Sequence, residues 1–160
     1  MSLYYTLVLP YYNYCNIVWA SGHTVLLEKL AVTQRKVLRC IYNLKWNANV
    51  DFIVRERKLL NIVEINFLQT ACFMYKAATG LIQSLTNLFT PNILIHKHIT
   101  RHVEDLHVLY RRTVIRADSI RIRGVKIWNN IDSTLRQAPT FLSFKRKTKR
   151  SIVDKLLSIT

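Results

Sequence analysis

Turn-making residues are scarce. The 160 residues hold three glycines and three prolines. An all-β chain needs many tight turns, and this composition argues against one. Acid is scarce as well: nine Asp and Glu face 24 Lys and Arg, for a formal net charge of +15. The cysteines, Cys15, Cys40 and Cys72, are odd in number and far apart. That spacing fits neither a disulfide framework nor a CxxC metal site. Their apolar neighbours predict three small, buried, reduced core residues, and a reducing compartment is the simplest setting.

What the chain has in quantity is apolar side chain. Half of it is hydrophobic, which excludes wholesale disorder and suffices for a core. A chain both apolar and strongly basic can fold and still present a positive surface. Such a surface suits a phosphate backbone better than a small neutral substrate. The first 22 residues imitate a signal peptide, but no Lys or Arg precedes the apolar run. That run also carries Tyr4, Tyr5, Tyr11, Tyr12, Tyr14 and Pro10. Secretion is therefore not expected. No other stretch is a charge-free membrane span, so no membrane partner is expected either. The expected location is intracellular, nuclear or cytoplasmic.

Long intervals between breakers favour helices. Residues 3 to 19 read as an apolar helix kinked near Pro10, ended by Ser21 and Gly22. A second helix is expected from Thr24 to Leu44, with Leu26, Leu30, Val37, Ile41 and Leu44 on its inner face. Lys29, Arg35, Lys36 and Arg39 gather opposite, with only Glu28 nearby. Asn49 is placed to cap a short helix over 50–59. A helix from about residue 61 to Ala78, stopped at Gly80, has little polar surface and belongs at the centre of the core. A further short helix is expected over 81–89.

Composition steps at Pro91. Residues 91–160 hold fifteen basic and five acidic residues, against nine and four in residues 1–90. Residues 1–90 therefore read as a helical region and 91–160 as a basic tail region with a terminal helix. Residues 92–118 read as loop. Ile120-Arg121-Ile122-Arg123 alternates apolar and basic, which predicts a strand in a short hairpin or strand pair, with Arg121 and Arg123 on one face. The terminal helix, about 140–157, carries Phe141, Phe144, Ile152 and Leu156 inward and Arg146, Lys147 and Arg150 outward. Its run Lys145-Arg146-Lys147-Thr148-Lys149-Arg150 reads either as a phosphate-binding or nuclear-import signal or as a plain outer helix face. The fold class expected is mainly α.

No catalytic constellation is present. There is no Gly-rich phosphate loop and no recognisable nucleophile motif. Polymerase chemistry needs carboxylates converging on two metal ions, and no adjacent aspartate pair exists here. His96, His98, His102 and His107 read as polar loop residues rather than metal ligands, because a structural zinc site needs four closed ligands. Trp19, Trp46 and Trp128 read as core rather than as base-stacking platforms. No cofactor, no metal and no enzymatic activity of these 160 residues alone are expected.

An ordered series of motifs resembles a known family. It runs through Leu3-Tyr4-Tyr5, Leu9-Pro10-Tyr11, Asn13-Tyr14-Cys15-Asn16-Ile17-Val18-Trp19, Gln34-Arg35-Lys36 and Leu60-Asn61-Ile62. It continues through Phe73-Met74-Tyr75-Lys76, Thr100-Arg101, Ser119-Ile120-Arg121, Lys126-Ile127-Trp128-Asn129 and Ser143-Phe144-Lys145. The series is similar to the thumb and post-thumb part of a LINE-type (non-LTR) retrotransposon reverse transcriptase. The resemblance implies a helical thumb that holds a template–primer duplex, and a parent RNA-directed DNA polymerase whose fingers, palm and endonuclease lie outside these residues. The chain departs from the family pattern at Ala20, where glycine is usual, and at Val125 and Asp132, where proline is common.

Taken together, the expected activity is sequence-independent binding of an RNA or DNA duplex backbone. Lys29, Arg35, Lys36 and Arg39 would grip phosphates, and Arg121, Arg123, Arg146, Lys147 and Arg150 would extend the track. Two other readings stay open: a remnant that does not fold without the palm, and a basic module that docks on an acidic partner.

Overall fold

The computed structural model describes residues 2–20, 24–95, 105–110, 113 and 117–158, omitting the side chains of Thr24, Thr86, Leu157 and Ser158. The fold is mainly α, and the described residues contain no strand or sheet. Two compact units are present: residues 1–69 with 148–160, and residues 70–147. No described helix is long and apolar enough to cross a membrane.

The first unit begins with a π-helical turn, Tyr4–Val8, that leads into α1 (Leu9–Asn13). Pro10 follows directly on the π-helical turn, where the Leu9 N–H reaches back to the Tyr4 carbonyl, so the helix is distorted where proline removes an N–H. A full break comes only later. Tyr14 is extended and Cys15 is left-handed, with φ 47°, before α2 (Asn16–Trp19) resumes. Amide side chains stitch this break. Asn16 Nδ2 donates to the Tyr12 carbonyl at 2.8 Å, Asn66 Nδ2 donates to Asn16 Oδ1 at 2.7 Å, and Gln69 Nε2 donates to Asn13 Oδ1 at 2.9 Å. Ser21 and Gly22 lie outside the described residues.

Helix α3 (Thr24–Ile41) keeps most of its expected inner face, with Leu30, Val37 and Ile41 half-buried, but loses Leu26 from it and gains a polar residue. Leu26 is 55% exposed, and the buried line runs through Gln34 and Leu38. Gln34 occupies it because both hydrogen bonds of its amide nitrogen are made inside: to the Tyr4 hydroxyl at 2.6 Å and the Leu60 carbonyl at 2.9 Å. Burial of Tyr4 pushes its hydroxyl pKa up, and the bond from Gln34 opposes that. The helix stops at Ile41, short of Leu44, because Asn43 takes up the left-handed conformation at φ 50°. The N–H groups of Asn43 and Leu44 then close on the Cys40 and Arg39 carbonyls, the pattern of a left-handed helix stop. Tyr4, Leu38, Val50, Ile53 and Leu59 form the cluster beneath.

Helix α4 (Asp51–Glu56) follows, shorter than the 50–59 expected; Val50 is its N-cap, and Asn49, one residue earlier, accepts from the Asp51 N–H through Oδ1 at 2.8 Å. Helix α5 (Ile62–Ala78) opens on a reciprocal cap. Asn61 Oδ1 accepts from the Glu64 N–H, and the Glu64 carboxylate accepts from the Asn61 N–H. In the first unit α5 buries Ile62, Ile65 and Leu68. Gly80, at φ 72°, marks its expected stop.

In the second unit α5 buries Ala71, Cys72, Met74, Tyr75 and Ala77. Tyr75 stacks on Phe144 at 4.5 Å between ring centroids, meets Trp128 edge-on, and donates its hydroxyl to the Ala138 carbonyl at 2.7 Å. Short 3₁₀ helices cover Gln83–Leu88 and Asn92–Leu94. The strand expected at 120–123 is instead a π-helical turn, Ile120–Gly124, running into α6 (Val125–Asn129). Its backbone bonds close locally: the N–H groups of Ile122 and Arg123 both donate to the Ser119 carbonyl. With no second strand to pair with among the described residues, local closure satisfies groups that a lone strand would leave open. Gly124 is needed for space, since a Cβ there would lie 2.8 Å from Met74 Sδ. Helices α7 (Ser133–Arg136) and α8 (Phe141–Ser158) complete the described chain. Asp132 caps α7 by accepting from the Thr134 N–H.

Gln34→Leu keeps the volume and strands the Leu60 carbonyl and Tyr4 hydroxyl, so it should cost about 1–3 kcal/mol. Phe144→Ala should cost about 3–5 kcal/mol by removing the partner of Tyr75. Urea unfolding followed by circular dichroism reads both.

Candidate nucleic-acid interface

In the first unit, Lys29, Arg35 and Lys36 stand exposed on α3. Lys29 and Lys36 are two turns apart on one ridge, a rise of about 10 Å. The face is not purely cationic, because Val25 and Val32 are exposed beside them. Arg39 differs. It is half-buried, and its Nε donates to the Ala48 carbonyl at 2.8 Å, so it holds the 45–48 turn against α3. Arg150 is exposed on the part of α8 that belongs to this unit.

In the second unit, Arg146 and Lys147 are exposed on α8. The expected inner stripe of α8 also gains Thr148, which belongs to the first unit and is 2% exposed. Arg121 is exposed on the Ile120–Gly124 turn and Arg123 is half-buried, so the two do not share one face as a strand would place them. Burial lowers the Arg123 guanidinium pKa, and Asp118 opposes that.

The acids that do form ion pairs are engaged elsewhere. Asp105 accepts Arg136 at 2.8 Å, and Glu56 meets its neighbour Arg57 at 3.4 Å. Among the described residues, no ion pair engages Lys29, Arg35, Lys36, Arg121, Arg146, Lys147 or Arg150. Their charge is available to a partner.

Other expectations need correction or fall outside view. Cys15 and Cys40 are exposed and only Cys72 is buried. The break at Tyr14–Cys15 turns Cys15 out, and Cys40 lies on the wet side of α3. Burial raises the Cys72 thiol pKa, with Lys145 and Lys76 opposing. Trp128 is core, but Trp46 is 86% exposed in the turn after α3. His96, His98 and His102 lie outside the described residues. His107 donates its backbone N–H to the Thr90 carbonyl. Among the described residues, no group of three His, Cys, Asp or Glu could hold a metal ion.

Sequence reasoning missed Arg55 and Lys58, which line a cavity of about 360 Å³ in the first unit together with Arg35 and Glu64. The Asn61-x-x-Glu64 spacing before an apolar run was a legible signal for the cap beside it. The left-handed backbone of Lys58 had no signal in sequence. Comparison with family models, curated proteins and solved structures gives no match.

Burial raises the Glu64 carboxyl pKa from its ordinary value, outweighing the bond from Asn61. Its contribution to stability is therefore full below the unfolded-state value, about 4.3, and lost as pH rises through the folded value. Glu64→Gln keeps an acceptor for the cap and should flatten that loss in unfolding midpoints measured across the window. Arg39→Gln should cost about 1 kcal/mol by freeing the Ala48 carbonyl, whereas Lys29→Gln and Lys36→Gln should each stay within about 0.5 kcal/mol.

Proposed function

We propose that the chain is the thumb and post-thumb region of a LINE-type reverse transcriptase, and that its own activity is sequence-independent binding of RNA or DNA backbone. The observation that carries this reading is the set of exposed cations on α3 and α8 with no acid pairing them among the described residues. Solvated helix faces usually mix signs. Here the charge stays unneutralised, and a polyanion releases counterions when it supplies the missing partner. The same reading assigns no chemistry to these 160 residues, which carry no adjacent aspartate pair. It places the work inside the cell, in the nucleus or cytoplasm.

A second reading, a region that needs its parent's palm to be stable, is favoured by one observation. Leu3, Leu7, Tyr11, Tyr14 and Val18 are all exposed. Leu3, Leu7 and Tyr11 recur at four-residue spacing before the break at Tyr14–Cys15, the pattern of a helix face that packs on something. Alone, such a face promotes self-association.

Filter binding to a duplex at two salt concentrations tests the first reading. Log affinity should fall by about 0.7–0.9 per phosphate contacted for each unit of log salt. Changing Lys29, Arg35 and Lys36 together to Glu should abolish binding with helicity unchanged, while salt-independent affinity would overturn the proposal. Arg39 is left intact in that variant because it anchors a turn. If the second reading holds, light scattering should show oligomers that Leu7→Ser and Tyr11→Ser disperse.

A further inference from the structure

The first unit contains a cavity of about 360 Å³ that shares only Arg35 with the nucleic-acid reading. Small-molecule sites run from roughly 300 to 1,000 Å³, so the volume suits a small ligand. Its wall is aliphatic: Leu38, Val54, Leu59, Leu60, Val153 and Leu156 among others, and among the described residues no aromatic ring lines it. That wall offers nothing for a planar ring to stack on and suits a flexible hydrocarbon body. Three cations line it as well, Arg35, Arg55 and Lys58. Two acids accompany them, Asp51 and Glu64, but each has local work. Asp51 sits in the first turn of α4, where the helix dipole favours a negative charge. The Glu64 carboxylate accepts from both the backbone N–H and the side-chain amide of Asn61, at 2.8 and 2.9 Å. Among the described residues, neither acid pairs with the three cations.

The backbone supplies an independent observation. Lys58 is left-handed, with φ 50°. Its N–H reaches the Arg55 carbonyl at 3.1 Å, and the Leu59 N–H reaches the Val54 carbonyl at 2.9 Å. This is the helix stop at which glycine is the usual occupant, because a Cβ is strained there. A lysine is carried at that position instead, and its side chain lines the cavity. Strain held at a site that glycine would relieve points to a use for the side chain.

We propose that this cavity binds an aliphatic carboxylate, with its hydrocarbon body against the leucine and valine wall and its head group between Lys58, Arg55 and Arg35. Octanoate is the probe, titrated calorimetrically into the full chain. It should bind at one saturable site. Octanol, which lacks the charge, and acetate, which lacks the body, should each bind at least about tenfold more weakly, the worth of one charged hydrogen bond or a short apolar segment. Lys58→Gly removes the cation and relieves the strain. It should raise the melting temperature and weaken octanoate by about tenfold. Arg55→Gln should weaken octanoate similarly. Duplex binding should persist in both variants, because neither residue lies on the proposed interface. Absence of saturable octanoate binding, equal binding of octanol, or unchanged affinity in Lys58→Gly would each overturn the proposal.

Discussion

Helix α5 has almost no face that can be left in water, and the rest of the structure accommodates that fact. Ile62, Ile65, Leu68, Ala71, Met74, Tyr75 and Ala77 are all buried along it. Each large aliphatic or aromatic side chain so buried contributes about 1.5–3 kcal/mol, so exposing any side of α5 would be costly. Its few polar residues must then be satisfied within the protein. Asn66 and Gln69 are, by the break between α1 and α2. The buried hydroxyl of Thr70 has no hydrogen-bond partner among the described residues. Tyr75 is satisfied by the Ala138 carbonyl, and its ring anchors the aromatic cluster of the second unit.

The amide links explain why an apolar N-terminal segment stops and restarts. A continuous helix through Cys15 would leave Asn13 and Asn16 unable to meet α5 as they do. The left-handed Cys15 costs backbone strain, and the bonds from Asn66 and Gln69 offset it. Elsewhere the same logic assigns cations to two kinds of work. Arg39 and Arg136 are spent on a carbonyl and on Asp105 inside the fold. Lys29, Lys36, Arg146 and Lys147 stay outside and raise the self-repulsion of a chain at +15. A polyanionic partner would relieve that repulsion, which is the physical core of the proposed function.

Much of the architecture was legible because it follows from local periodicity. The apolar density of 62–78, the glycine after it and the outward cations of α8 all rest on neighbours within one or two turns. The errors share a cause, which is competition from residues distant in sequence. Leu26 was expected inside and Gln34 was not, because hydrophobicity ranks leucine first. The Tyr4 hydroxyl and Leu60 carbonyl reverse that order by satisfying the amide. At 120–123 the alternation was real, but a strand needs a partner to bond to, and the chain closed its hydrogen bonds on Ser119 instead.

The sequence alone determined the helical class, the excess of positive charge and the helix whose burial organises the core, since these depend on composition and on spacing within a turn. Only the tertiary structure decided that Gln34 joins the inner face of α3, that Arg39 serves the fold, and that Lys58 lines one aliphatic cavity with Arg35 and Arg55. Those outcomes require groups up to tens of residues apart to be brought into one neighbourhood, and no local pattern encodes that approach.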